Sequence, residues 1–514
     1  MRTKRTLRNL AYALLSSVVV LVLGLVTRKL LVVNFGPTVS GAASVVEKLF
    51  TFFSIAEFGV GSVISYRLYE QVAAKDTAKI CKYMSMYKWS YRVVGVVICL
   101  LALVCALALP WIMPGEDMPT VYTIYFLNVV STLSSYFLVT RRLMYTCTQQ
   151  GYLCTRIDLC CTIFNYLARI AVAQWLPNYV LYFSVTIVTS VTANLIIARR
   201  YRRDFPELHE VRVSLQDFRE LGIFHDLRYF LVHRLSNTIY GSSDVIVTSR
   251  MEGSMQVTNL GSYTTISDNV TNIGNKIMDS FASAIGSIVY DKNAAAGDHA
   301  KEVFWGMDLF SYLFGSFVAT AYLCLFQPFM QAWMGERYML SMAFVVVFSL
   351  NEYIGWNHRM VGNYRAVLGR FEEDQWFMVA SAVTNLALSF ALAVPFGVAG
   401  IVFATVAAHL IMWIGRARVV CKYYMVGCGA RYLRVQAVHL VTLGADMALT
   451  FRLCALLPAG WLGVVLRAAV VCVVPNALNL VFYVWTADAA YLRTRGRELL
   501  GRVRQKLQER RNAP

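Results

Sequence analysis

Stretches of about 20 apolar residues recur from one end of this 514-residue sequence to the other, separated by short polar turns. A run of that length crosses roughly 30 Å of hydrocarbon at about 1.5 Å per residue. Lipid offers the backbone no hydrogen-bond partner, so each run must satisfy itself as a helix. The sequence therefore predicts an all-α polytopic membrane protein. Composition points the same way: 57% of residues are hydrophobic, only 15% are charged, and mean hydropathy is +0.52.

Apolar windows bounded by charges fall near 10–33, 40–66, 89–112, 119–140, 157–176, 178–198, 229–250, 259–289, 304–328, 339–364, 374–394, 397–415, 434–457 and 460–486. That makes about 14 transmembrane helices. Arg2 to Arg8 followed by an apolar stretch imitates a signal peptide, but the stretch runs on to Val33 with no small-residue cleavage site, so it reads as a retained first span. The net charge of +18 does not point to nucleic acid, because the basic residues punctuate the ends of the apolar runs. Arg67, Lys75, Lys79, Lys82 and Lys88, then Arg141 and Arg142, then Arg199 to Arg203, Arg416 to Arg431 and the tail from Arg493 all fall on one side, whereas the loops around Pro114 and Pro177 carry no base. The positive-inside rule places both termini in the cytoplasm. Of the 12 cysteines, Cys99, Cys105, Cys160, Cys161, Cys324, Cys454 and Cys472 lie inside apolar runs and read as reduced packing residues. Cys147 with Cys154 and Cys421 with Cys428 have no histidines at zinc-ligand spacing, so no metal is expected.

The longest polar break, residues 199–228, divides the chain. Tyr69 stands 221 positions before Tyr290, and the same offset relates Ala73 to Ala294, Ala74 to Ala295, Met86 to Met307, Ser90 to Ser311 and Tyr91 to Tyr312. An even number of spans separates the copies, which makes the repeats parallel. The expected layout is an N-lobe at 1–198 with spans one to six, a cytoplasmic interlobe linker at 199–228, a C-lobe at 229–418 with spans seven to twelve, two further spans at 419–490, and a basic cytoplasmic tail at 491–514. Leu215, Phe218 and Leu221 give the linker an apolar helical stripe suited to a surface helix.

Charges inside the spans cost between about 2.5 and more than 10 kcal/mol each at mid-bilayer, so they mark function. Arg28, Lys48, Arg169, Arg234, Arg250, Lys276 and Arg359 are the candidate bases of a substrate cavity, and Glu47, Glu57, Asp268 and Asp279 the candidate acids for ion coupling. Span eight spaces Asp268, Asn272, Asn275, Lys276, Asp279 and Ser283 at three- and four-residue steps, a polar stripe on one helix face. The repeat pairs Glu47 with Asp268 at offset 221 and Arg28 with Arg250 at offset 222, so each lobe is expected to offer an acid and a base at matching depth. Arginine favours phosphate and carboxylate because its planar fork meets two oxygens at once.

Several segments carry a family signature. Arg28-Lys29-Leu-Leu-Val-Val-Asn34-Phe35-Gly36-Pro37 with Gly41, Glu57-Phe58-Gly59-Val60-Gly61-Ser62, the loop from Tyr66 to Lys79 and Gln149-Gln150-Gly151-Tyr152 resemble the Wzx-like oligosaccharide flippases of the MOP superfamily, whose relatives include MATE exporters and MurJ-type lipid II flippases. The resemblance implies a MATE/MOP-like fold of two parallel six-helix lobes plus two C-terminal helices. It also implies translocation of an undecaprenyl-diphosphate-linked oligosaccharide from the inner to the outer leaflet of the bacterial cytoplasmic membrane by alternating access. On that reading the diphosphate engages the cavity bases, protons or sodium are the candidate coupling ions, and no other cofactor is needed. The bilayer and other polysaccharide-assembly proteins are the expected partners. Arg28 matches the arginine that MurJ-like proteins place before their Phe-Gly turn, but Lys29 stands where they carry an acid, which favours the broader polysaccharide group.

Three rivals share part of this description. A MATE-type exporter of cations would have an acid-dominated cavity. A major-facilitator carrier would show a Gly-x-x-x-Asp-Arg motif, which Tyr66 to Lys88 lacks. A polysaccharide polymerase or ligase would need a reaction site on a long external loop, and the sequence offers neither such a loop nor a recognisable nucleophile arrangement, so a non-enzyme is expected.

Overall fold

Three glycines turn long helical runs back on themselves. Helix α1 (Arg2–Phe53) is interrupted at Gly36, whose φ of 80° lies in the left-handed region that a side chain disfavours. Sixteen residues of unbroken helix would set Arg28 and Ser44 about 24 Å apart. Instead Arg28 Nη1 lies 3.1 Å from Ser44 Oγ, so the two arms of α1 form a hairpin. Pro37 suits the first position of the second arm, where its missing N–H is no loss.

The chain continues through α2 (Val60–Ala74), α3 (Thr77–Ile112), α4 (Met118–Leu138), α5 (Arg142–Cys147), α6 (Gly151–Trp175), α7 (Tyr179–Asp204), α8 (Leu215–Glu220), α9 (Ile223–Val289), α10 (Asp298–Trp333), α11 (Met342–Val367), α12 (Gln375–Tyr423), α13 (Gly429–Ala455) and α14 (Gly460–Tyr483). The computed structural model describes the backbone of residues 2–57, 60–220, 223–289, 298–370, 372–494, 497 and 501; within these, side chains are described from residue 18 onward except at 60, 62, 219–220, 223–231, 276–277, 279–284, 286–289 and 298–299.

Gly253 interrupts α9 with the same φ of 80°, and Gly397 interrupts α12 at φ 58°. Across the second of these, Asn385 Nδ2 donates to Thr405 Oγ1 at 2.9 Å, a separation that again requires a reversal. Counting two arms each for α1, α9 and α12, with single spans for α3, α4, α6, α7, α10, α11, α13 and α14, gives fourteen spans among the described residues, the number read from the apolar windows. The fold is an all-α polytopic membrane architecture. Among the described residues, eight helices are long enough and hold a stretch apolar enough to be recognised as spans by length and composition alone. Helix α6, with Arg156, Asp158 and Arg169, and α11, with Glu352, His358, Arg359 and Arg365, fall outside that set, so they are helices that carry charge into the membrane.

The chain divides into two compact units, Met1–Ile273 with Phe390–Ile401, and Gly274–Ser389 with Val402–Pro514. In the first unit the turns of α1 and α9 dock on each other. Thr258 Oγ1 donates to the Pro37 carbonyl at 3.0 Å and shares a 2.6 Å hydrogen bond with Ser40. A Cβ on Gly41 would lie 2.8 Å from Ser254 Cβ, so this close backbone approach requires glycine. The two turns fix the register of the repeat. Gly36 and Gly253 are 217 positions apart, four fewer than the offset read from sequence identities. Four residues are about one helical turn, so Glu47 and Asp268 share a helix face while Asp268 lies one turn farther from its hinge.

The linker also differs from its expectation. Phe218 is buried against Ile64 and Met86 with its ring centre 5.2 Å from that of Trp89 in a tilted contact, Leu215 is exposed, and Leu221 lies outside the described residues. The segment is strapped to α3: Lys82 pairs with Asp217 at 2.6 Å, Lys88 pairs with Glu210, and the Val211 N–H donates to Ser85 Oγ at 3.0 Å. Its apolar side chain packs on protein because the ion pairs hold it there. Lys82, with two hydrogen bonds from Ser214, pushes the Asp217 carboxyl down to about 2.

Candidate functional site

Within the first unit, both arms of α1, with α4, α6, α7 and α9, enclose a cavity of about 530 Å³. Arg28, Glu47 and Lys48 come from α1, Arg169 and Tyr166 from α6, Tyr182 from α7, and Asp268 and Asn272 from α9. Three bases against two acids leave a net charge of +1 on the wall.

Arg28 is the most constrained of these groups. Its Nη2 donates to the Thr258 carbonyl at 2.9 Å, its Nη1 to Ser44 Oγ at 3.1 Å and its Nε to Ser262 Oγ at 3.4 Å. Every hydrogen-bond acceptor is neutral, and Glu47 on the same wall faces the guanidinium without forming an ion pair with it, so the group is positioned by neutral partners. A Cβ on Gly261 would stand 2.4 Å from Nη2, which means the side chain occupies space that only glycine leaves open. Arg169 is held differently. Its guanidinium lies 4.1 Å from the ring centre of Tyr182, a cation–π contact that leaves the charge in place. Tyr182 is fully buried, donates its hydroxyl to the Thr27 carbonyl at 3.2 Å and packs 5.4 Å from Phe35. The turn residue before Gly36 and the residue before Arg28 thus both brace the ring on which Arg169 rests.

A second cavity of about 470 Å³ shares Tyr166, Arg169 and Thr186 with the first and extends between α4, α6 and α7. At its far wall Arg142 makes a bidentate pair with Asp158 at 2.6 and 2.8 Å and donates from Nε to Asn194 Oδ1 at 3.0 Å. That arginine is neutralised, unlike Arg28.

The structure brings together five of the eleven candidates: Arg28, Lys48, Arg169, Glu47 and Asp268 line one cavity. Arg234 and Glu57 instead pair with each other at 3.6 Å, and Arg234 Nη2 also donates to the Ser54 carbonyl at 3.3 Å. Arg250 lies over Trp111 at 5.4 Å. Arg359 belongs to the second unit, where it donates to Asn275 and lies 4.5 Å over Trp356. The side chains of Lys276 and Asp279 lie outside the described residues. Tyr166, Tyr182, Asn128 and Asn269, none of them among the residues singled out from the sequence, also line the cavity. Asn269 was within reach, because it adjoins Asp268 on the polar stripe, whereas a single tyrosine in an apolar span carries no signal.

The family model described as polysaccharide biosynthesis protein matches residues 6–285, more than half of the chain. No curated protein matches by sequence. Among solved structures, a lipid II flippase MurJ in an inward closed conformation superposes with a TM-score of 0.70 at 11% identity, covering 91% of this chain and 98% of that one. An inward-facing multidrug resistance MATE transporter of the MOP superfamily gives 0.60 at 13% identity, covering 78% and 95%. A MOP superfamily transporter from Pyrococcus furiosus, described as having a binding pocket of reverse polarity, gives 0.53 at 15% identity, covering 79% and 93%. At these identities the likeness is one of fold.

Proposed function

Because the chain belongs to the polysaccharide biosynthesis protein family, we propose that it is a flippase that moves an undecaprenyl-diphosphate-linked oligosaccharide from the inner to the outer leaflet of the bacterial cytoplasmic membrane. The observation that carries this reading is the cavity of the first unit, where Arg28 and Arg169 are fixed by neutral partners and keep their charge for a ligand. Two guanidinium groups and Lys48 suit the oxygens of a phosphate or diphosphate. The cavity gives the anionic head group and its sugars a hydrated route while the carrier's hydrocarbon stays in lipid. Alternating access then exposes the cavity to each side in turn. Both termini lie in the cytoplasm on this reading, and Glu47 and Asp268 are candidate sites for a coupling proton or sodium ion.

A MATE-type exporter of cationic drugs is less well served, since bases outnumber acids on the cavity wall. The reading is tested by reconstituting the purified protein into vesicles with a lipid-linked oligosaccharide and following its appearance in the opposite leaflet. Transfer should depend on the protein and fall in Arg28→Ala and Arg169→Ala variants that still fold. Transfer equal to that of protein-free vesicles would refute it.

A further inference from the structure

Within the second unit, α10, α13 and the end of α14 enclose a cavity of about 430 Å³, a volume that suits a small ligand or a lipid head group. Its wall holds two bases and two acids: Arg431 and Arg434 from the start of α13, Asp308 from α10, and Asp488 just past α14. These charges sum to zero, but they are not cancelled pair by pair. Arg431 pairs with Asp488 at 3.0 Å and lies 4.2 Å from the ring centre of Trp305, which fixes it. Arg434 has only a 3.5 Å hydrogen bond to the Ala430 carbonyl of its own helix. Asp308 is 2% exposed, and both of its oxygens accept from Gln436 Nε2, at 3.1 and 3.0 Å. Among the described residues Asp308 has no ion pair, with Arg434 or with any other base. One wall thus carries a base without an acid and a buried acid without a base. A carboxylate so placed needs a cation to complete its charge balance.

Two neutral groups on the same wall also lack partners. Trp305 Nε1 and His439 Nδ1 are buried with no hydrogen bond, although both residues line the cavity. Buried polar atoms are paired as a rule, so these two mark a place where a bound molecule completes the bonding. The flank of the cavity is apolar. Leu309, Val435 and Val438 line it, Val438 is 53% exposed, and Leu433 and Val441 on the same membrane-spanning helix are exposed as well. Exposed apolar side chains on a spanning helix face hydrocarbon. The occupant therefore needs an anion, a cation and a hydrocarbon chain in one molecule.

We propose that this cavity binds a membrane phospholipid whose head group joins a phosphate to a primary ammonium. The phosphate meets Arg434, the ammonium meets the Asp308 carboxylate, and the acyl chains follow Leu309, Val435 and Val438 into the bilayer. Each unpaired charge on the wall then gains its opposite through a charge-assisted hydrogen bond. The amine decides the choice among phospholipids. A quaternary ammonium carries the same charge but has no N–H to give the carboxylate, and a glycerol head group has no cation at all. Every residue of the site belongs to the second unit, and the inference does not depend on what the cavity of the first unit carries.

The experiment exposes the purified full-length protein in detergent to equal amounts of dioleoyl phospholipids with ethanolamine, choline or glycerol head groups, and counts the lipid bound to each chain by native mass spectrometry. The ethanolamine lipid should be retained about tenfold more strongly than either of the others, the effect of one charge-assisted hydrogen bond. Asp308→Asn should bring the ethanolamine and choline lipids to within about twofold of each other. The new amide can donate to Gln436 Oε1, which is buried without a partner, so the fold should hold. Arg434→Ala, at an exposed position, should lower retention of all three lipids by about tenfold. Equal retention of the ethanolamine and choline lipids by the wild type, or a preference that survives Asp308→Asn unchanged, would overturn the proposal. Should Asp308→Asn fail to fold, Arg434→Ala decides: weakened retention supports the site, and wild-type retention overturns it.

Discussion

Replacing Gly261 with alanine separates the position of Arg28 from its presence. An alanine Cβ would stand 2.4 Å from Arg28 Nη2 and 3.0 Å from Ser44 Oγ. Relief to ordinary contact distance requires the guanidinium to move by about 1 Å, which breaks its 2.9 Å bond to the Thr258 carbonyl. A hydrogen bond from a charged group contributes about 1.5–3 kcal/mol. Alanine in place of glycine returns about 1 kcal/mol to the helix. The net loss of stability is therefore about 2 kcal/mol or less, and the protein should fold. If the guanidinium in its present seat contributes one charge-assisted contact to an anionic head group, losing about 2–3 kcal/mol weakens binding by about 30- to 150-fold. The assay is a titration of the protein in nanodiscs with a lipid-linked oligosaccharide diphosphate, beside thermal unfolding. Gly241→Ala, where nothing lies within 4 Å of the added Cβ, is the control. Equal affinity in the two variants would refute the claim that this seat binds substrate.

Gly36→Ala and Gly253→Ala should each lower stability by about 1–3 kcal/mol in thermal unfolding, since both glycines sit at φ 80° and ψ 176° with open space around them and the cost is that of the backbone alone. The strap on α3 should be acid-labile. Asp217 has its carboxyl depressed to about 2, so its contribution is present above the ordinary carboxylate range and is lost as pH falls through that range toward about 2. Hydrogen exchange across residues 205–218 should rise over that window, and Lys82→Ala should raise it already at neutral pH; no change in either would contradict the assignment. Arg250→Ala should leave leaflet transfer within about twofold of wild type, because Arg250 stands over Trp111 and off the cavity wall, a contact of about 0.5–1 kcal/mol.

The spans were legible because an apolar run of membrane length has a single stable answer. Even the hairpin at Gly36 was marked, since Phe35-Gly36-Pro37 joins a residue free to turn to one that restarts a helix. The hinge at Gly253 has no such proline, and the gap left between 250 and 259 came from hydropathy alone. The register of the repeat was not legible to within a turn. Identities clustered around Tyr69 and Tyr91 set an offset of 221, while the hinges, where backbone geometry is matched, are 217 apart. A shift of about one turn preserves the face of a helix, which is why Glu47 and Asp268 still meet in one cavity although their depths differ. Arg234 and Glu57 show the limit of reading intramembrane charges one by one: each looked like a cavity group, and the fold made them partners.

The most direct test is a structure of the protein with a lipid-linked oligosaccharide diphosphate bound. The account predicts phosphate density in the cavity of the first unit, within hydrogen-bonding reach of Arg28 and close to Arg169, with the sugars extending past Asp268 and Asn272. Phosphate density remote from Arg28, with this cavity filled only by water, would contradict it.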